Sequence, residues 1–180
     1  MDYDLKKIYL NKALPELIGK FGYKNRMDAP KITKVVVNTG VGSVKDGGRR
    51  ELIGEHLAVI TGQVPSKRQA KKSIATFKLR KGGHVGYAVT LRGNRMYDFL
   101  NRLIFIAIPR KRDFRGLSPN SVDEAGNLTI GFRDHLVFPE MVEGDLRDAF
   151  GISVTIVTTA RNKEKAFEFF NLMGFPFVKR

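Results

Sequence analysis

Two periods run through the apolar positions of this chain. Val85, Tyr87, Val89 and Leu91 alternate with Gly86, Ala88, Thr90 and Arg92, which is the two-residue period of a strand with one apolar face. Leu128, Ile130 and Phe132 repeat it against Thr129, Gly131 and Arg133. Residues 32–38 and 152–158 are rich in β-branched side chains and predict two further strands. Residues 74–79 predict a short one. Gly82 and Gly83 stand between that stretch and residues 85–91, so the two pair as a hairpin.

The second period is helical. Leu5, Ile8, Tyr9, Leu17, Ile18 and Phe21 share one face, with Gly22 as the stop. Pro15 falls inside this pattern and predicts a kink or the start of a second helix. Residues 50–61 form a helix with Leu52, Ile53, Leu57 and Ile60 inward and Gly62 just past its end. Met96, Phe99, Leu100, Leu103, Ile104 and Ala107 predict a strongly amphipathic helix that ends at Pro109. Residues 140–150 and 163–173 are helices stopped by Gly151 and Gly174, and residues 110–126 are irregular. Strands and helices mix without a βαβα rhythm. The fold class is therefore α+β, a mostly antiparallel sheet with helices packed on one face. The other sheet face and the loops are left for a ligand, here RNA. With 180 residues and no repeat or linker, residues 1–180 read as a single domain.

Composition narrows the class. A chain with 42% hydrophobic residues folds rather than staying disordered. The absence of cysteine removes disulfides and thiolate metal sites and fits a reducing compartment. No apolar run approaches a membrane span, and residues 1–10 do not resemble a signal peptide. The expectation is a soluble intracellular protein without membrane contact.

Charge changes the picture most. The chain carries +14 overall. Residues 1–62 hold 11 basic and 7 acidic side chains, residues 63–116 hold 14 and 2, and residues 117–180 hold 7 and 9. A near-neutral scaffold thus bears one cationic stretch, which points to a polyanion. Lys67, Arg68, Lys71, Lys72, Lys78, Arg80 and Lys81 occur without an intervening acid. Such a run repels itself unless phosphates lie nearby. Arg92, Arg95 and Arg110-Lys111-Arg112 extend it. Phe77, inside the run, reads as a core anchor of the short strand rather than a base-stacking ring.

Catalytic chemistry finds no support. His56, His84 and His135 lack partners at metal-ligand spacing and read as ordinary surface or helix-face histidines. Gly40-Val41-Gly42 follows a strand, but Lys45 stands where a dinucleotide loop needs its third glycine, so it reads as a turn. There is no phosphate-binding GxxxxGK loop and no GxSxG elbow. Asp145 and Asp148 fall at helical spacing and read as a solvated face. No catalytic residue, metal or cofactor is expected. An RNA-modifying enzyme on the same basic face would need a catalytic cluster that is missing. A membrane-surface or general polyanion binder would carry its charge on an amphipathic helix, whereas here it falls on strand and loop.

A chain of motifs then carries a resemblance. It runs through Pro30-Lys31-Ile32-Thr33-Lys34-Val35-Val36-Val37-Asn38 with Gly40 and Gly42, then Ile60-Thr61-Gly62-Gln63 with Pro65. It continues in Ala70-Lys71-Lys72-Ser73-Ile74-Ala75, Phe77-Lys78-Leu79-Arg80, Val89-Thr90-Leu91-Arg92 and Arg112-Asp113-Phe114-Arg115-Gly116-Leu117. It ends in Pro119-Asn120-Ser121, Phe138-Pro139-Glu140, Val157-Thr158-Thr159-Ala160 and Gly174-Phe175-Pro176-Phe177. In these strings the chain resembles the bacterial-type large ribosomal subunit protein five family, which binds 5S ribosomal RNA.

The resemblance implies a structural, non-enzymatic role in the central protuberance of the large subunit, on a cytoplasmic or an organelle ribosome. It implies 5S rRNA contacts at Lys34, Asn38, Gln63, Lys67, Lys71, Lys72, Thr90 and Arg92, and contacts to transfer RNA in the peptidyl site at Lys78, Arg80, Lys81, Gly82 and Gly83. The implied partners also include 23S rRNA, other central-protuberance proteins and a bridge to small-subunit ribosomal protein thirteen. The chain departs from the family pattern at Ser66-Lys67-Arg68, where an apolar pair and Thr are usual, and this adds charge. It departs again at residues 122–126, at Asp134-His135 and at residues 141–145, all in the acidic third to which the protein bridge would fall.

Overall fold

The computed structural model describes residues 4–76, 79–111, 114–141 and 149–178. Five strands form in chain order: β1 (Ile32–Gly40), β2 (Ser66–Gln69), β3 (His84–Leu91), β4 (Leu128–Phe132) and β5 (Ile152–Thr158). They hydrogen-bond as one antiparallel sheet in the order β2-β3-β1-β5-β4. The direction shows in the side-chain bonds along β1. Thr33 Oγ1 donates to Val157 O at 3.0 Å, and Thr39 Oγ1 donates to Gly151 O at 2.8 Å.

Alternation decides which face is covered. Val35, Val37 and Thr39 of β1, Leu128, Ile130 and Phe132 of β4, and Ile152, Val154 and Ile156 of β5 are buried. The residues between them are exposed or half-exposed. The α+β class and its antiparallel sheet are as the periodicity predicts.

The helices are α1 (Leu5–Ile8), α2 (Leu14–Phe21), α3 (Gly47–Thr61), α4 (Gly93–Arg102), α5 (Ile108–Arg110) and α6 (Lys163–Leu172). Gly22 and Gly62 end α2 and α3 in the left-handed conformation, φ +64° and +67°, as their sequence positions predict. Both internal prolines are absorbed by the same device. A wide turn, Tyr9–Ala13, joins α1 to α2, and another, Leu103–Ala107, joins α4 to α5. In each, the residue just before the proline reaches five residues back: Leu14 N–H bonds Tyr9 O, and Ile108 N–H bonds Leu103 O. A proline ring clashes with the carbonyl four residues earlier and offers it no N–H. Those carbonyls belong to Asn11 and Phe105, each inside a wide turn where the ladder is already opened. The helix predicted to stop at Pro109 therefore runs through it to Arg110.

The chain packs as two compact units, one of residues 1–35, 91–130 and 155–180, the other of residues 36–90 and 131–154. In the first, Leu5 N–H donates to Asn101 Oδ1 at 3.0 Å. Tyr9 meets Phe169 edge-on, and Phe170 likewise meets Phe175 edge-on in the same core. In the second, Ile53, Leu57 and Ile60 of α3 are fully buried, while Leu52, predicted to face inward, is exposed because the apolar stripe falls one residue later. His135 also departs from expectation. It is fully buried, its ring 4.2 Å from that of Phe150 and 5.3 Å from that of His56, and it accepts the Phe150 N–H on Nδ1. An imidazole buried this way packs as a flat aromatic ring.

The hairpin partner of β3 is also corrected. It is β2, four residues without an apolar side chain. Of the strand predicted at 74–79, the described residues show a single isolated antiparallel bridge, Ile74 to Leu79. Phe77 and most of the helix predicted at 140–150 lie outside the described residues.

The turn before β4 generates a test. Asp123 accepts Asn127 N–H at 2.7 Å and Asn127 Nδ2–H at 2.9 Å. Burial alone raises its pKa, but these bonds and those from the backbones of Ala125 and Gly126 outweigh it and hold the carboxyl below its ordinary value. A depressed folded pKa stabilises above the unfolded pKa, and that stability is lost as pH falls through the folded value. Asp123→Asn should be less stable than the parent at neutral pH, by at most about 1 kcal/mol because the carboxylate is solvated. Thermal unfolding in acid should bring the two midpoints together.

Candidate nucleic-acid interface

Strand register sorts the basic residues by face. In the β2–β3 hairpin, Ser66 lies opposite Ala88, Lys67 opposite Tyr87 and Arg68 opposite Gly86. Opposed residues share a face. The Tyr87 ring lies against Gly54 of α3, so Lys67 stands on the helix side. Ser66 and Arg68 stand on the open side with Gly86, Ala88 and Thr90. Just past Arg68 the register shifts, with Gln69 pairing His84. Val85 is thus the extra residue of a bulge, a device that re-aims the strand beside it.

On the open side lies a shallow depression of about 500 Å³, lined by Asn38, Gly40, Arg68, Gly86, Gly151 and Ser153 among others. Among the described residues the lining contains one cation and no carboxylate. Three of the lining residues are glycine and expose backbone to it, beside the nearly buried side chains of Tyr87, Phe132 and Ile152. Gly86 is there for close approach: a Cβ on it would lie 2.7 Å from Thr39 O of β1, closer than two such atoms can stand. Beside the depression, Gln63 follows the end of α3. Thr61 Oγ1 donates to Leu57 O at 2.7 Å and fixes that end. Gln63 Nε2–H reaches Thr90 O at 3.5 Å, and Ser66 Oγ donates to Ala88 O at 3.2 Å.

Residues 70–83 form an arm beyond the hairpin. Ala70 N–H donates to Gly83 O at 2.8 Å and Gly82 N–H to Ala70 O at 2.9 Å, which closes its base. Higher up, Lys81 N–H donates to Ser73 Oγ at 2.9 Å, and Ile74 and Leu79 exchange two backbone bonds. Lys71, Lys72, Arg80, Lys81 and Gly82 are exposed on this braced arm.

The residues expected to bind RNA therefore fall into groups. Asn38 lines the depression, with Gln63 and Thr90 joined beside it. Lys71 and Lys72 sit on the arm with Arg80, Lys81, Gly82 and Gly83, and Lys78 lies outside the described residues. Lys67 is on the opposite face. Lys34, half-buried on β1, and Arg92, exposed directly after β3, belong to the first compact unit.

Sequence reasoning passed over Arg68, Gly86 and Ser153 as site residues. The face of Arg68 follows only from register, since β2 has no apolar alternation to set its phase. The turn predicted at Gly40-Val41-Gly42 comes later: Gly40 ends β1, the buried Val41 still gives its N–H to Val85 O at 2.9 Å, and Val44 N–H closes the turn on Val41 O at 3.1 Å. Among the described residues no group of three or more His, Asp or Glu side chains could hold a metal ion, and no helix is long and apolar enough to cross a membrane.

Comparison with known proteins decides the family. Residues 25–80 match the model of ribosomal protein L5, and residues 84–177 match that of the ribosomal L5P family C-terminus. The large ribosomal subunit protein uL5 of Dictyoglomus thermophilum is 51% identical over 176 residues, 97% of this chain and 98% of that protein. The protein of the same name from Thermus aquaticus is 47% identical over 180 residues, 99% of each chain. The chain belongs to the ribosomal protein L5 family. It is thus a ribosomal protein and a structural component rather than an enzyme. The two L5 matches stop and resume at residues 81–83, where the arm returns to the sheet.

Because Gly86 sets both the β1–β3 spacing and the floor of the depression, Gly86→Ala should destabilise the L5 fold by about 1–3 kcal/mol. Denaturant unfolding monitored by circular dichroism reads this directly.

Proposed function

We propose that this chain is a structural constituent of the large ribosomal subunit that binds 5S rRNA in the central protuberance. The open sheet face, with Asn38, Gln63 and Thr90 at its centre, takes the 5S rRNA. Lys34, Lys71, Lys72 and Arg92 supply charge toward it, and Lys67, on the helix side of β2, adds to the same positive field. The arm, with Lys78, Arg80, Lys81, Gly82 and Gly83, reaches transfer RNA in the peptidyl site. On this reading residues 1–180 act as one RNA-binding domain. Further partners are 23S rRNA, neighbouring proteins of the central protuberance and, through the acidic third of the chain, small-subunit ribosomal protein thirteen.

The observation that carries the reading is the mounting of the acid-free basic segment. Seven cations between Ser66 and Lys81 are unmatched by any acid, and those described are exposed on an edge strand and a braced arm. Such a surface suits a folded RNA recognised by shape and backbone. Family membership supports it, since the relatives named above are proteins of the large ribosomal subunit.

Filter retention across a salt series tests the main ligand. The chain should retain 5S rRNA in preference to an unrelated duplex RNA at moderate salt, with affinity falling steeply as salt rises. Equal retention of both would overturn the reading. A second comparison tests the division of labour. Replacing Lys78, Arg80 and Lys81 with Ala should leave 5S rRNA affinity near that of the parent and weaken the transfer RNA contact in assembled ribosomes. Replacing Asn38, Gln63 and Thr90 together should cost at least about tenfold in 5S rRNA affinity. Equal losses in the two variants would refute the division.

A further inference from the structure

We propose that Arg68 is a phosphate anchor of the sheet-face depression, gripping the backbone of the RNA seated there. This rests on the RNA-binding reading above and goes beyond it, since that reading counts Arg68 only in the overall charge and gives it no contact of its own.

Three features carry it. Arg68 lies opposite Gly86, so no cross-strand side chain occupies the space beside its guanidinium. It stands on β2, the edge of the sheet, where ligand can approach without displacing protein. Among the described residues the depression it lines holds no carboxylate, and Arg68 enters neither of the two ion pairs formed between them. Among those residues nothing offsets its charge at the rim of a concavity that exposes glycine backbone.

The neighbours fit the same ligand. Asn38 and Ser153 are neutral hydrogen-bonding groups, suited to ribose hydroxyls and non-bridging oxygens. Gly40, Gly86 and Gly151 let a sugar-phosphate chain come down onto the sheet. An arginine fork presents two parallel N–H bonds to a phosphate and stays charged at any working pH. An acidic peptide would meet the same cation, but Tyr87, Phe132 and Ile152, the apolar residues of the lining, are themselves almost fully buried and give a protein segment little to anchor on.

The test compares the full-length parent with Arg68→Ala, Arg68→Lys and Lys24→Ala in filter retention of a 5S rRNA transcript over a monovalent salt series. Lys24 is an exposed cation of the first unit and controls for loss of charge as such. Loss of one phosphate contact should flatten the log affinity against log salt plot by about 0.7–0.9. Arg68→Ala should show this flattening and lose about tenfold in affinity at low salt. Arg68→Lys should keep the parent slope, and Lys24→Ala should match the parent in both. A parent-like slope in Arg68→Ala overturns the proposal, as does equal flattening in Lys24→Ala. Unchanged thermal midpoints establish that the variants fold. If the parent shows no preference for 5S rRNA over duplex RNA, the 5S reading falls, while the Arg68→Ala slope on either RNA still decides the anchor.

Discussion

A strand sends its side chains to two faces, and in this chain only one of those faces is apolar. Everything else about the site follows from that constraint. Val35 and Val37 of β1, Val89 and Leu91 of β3, and Val154 and Ile156 of β5 are taken into the core. Burial on one side leaves the other mostly small and polar positions, such as Asn38, Gly86 and Ser153. A one-residue slip would exchange the two faces, so the register is held strongly. The open face is therefore a rigid platform whose chemistry is set by parity.

Charge is placed where it disturbs this core least. β2 buries nothing, and the arm beyond it is tied by backbone bonds and one bridge between apolar residues. Cations on such elements keep their hydration in the folded protein, because nothing there draws them into a core. The acid-free composition of the segment is thus compatible with a stable fold because the fold does not depend on it.

Much of the architecture was legible in the sequence. β1, β3, β4 and β5 announce themselves by alternation or β-branching, and Gly22 and Gly62 mark helix ends where φ must be positive. β2 was not legible, because Ser66-Lys67-Arg68-Gln69 has no apolar period and is a strand only through its partner. The same gap hid the face of Arg68, which is set by its pairing with Gly86. His135 was misjudged because a polar label says little about a ring that packs flat between Phe150 and His56. The basic stretch itself showed in the composition, but composition does not divide a sheet face from an arm. That division needs the closing bonds between Ala70 and residues 82–83.

The two wide turns have a consequence for how the helices keep time with the core. Leu5, Tyr9, Ala13, Leu17 and Phe21 recur every four residues, as do Met96, Leu100, Ile104 and Ile108. At 3.6 residues per turn, a four-residue repeat drifts by roughly 40° each step and would carry the stripe out of the core within a few turns. A turn that takes in one residue more than usual sets the stripe back. The proline and the extra residue thus form a matched pair: the proline makes an ordinary turn costly, and the extra residue restores the phase that a four-residue repeat would lose. Neither could be removed singly in evolution without turning the rest of its helix away from the surface it covers.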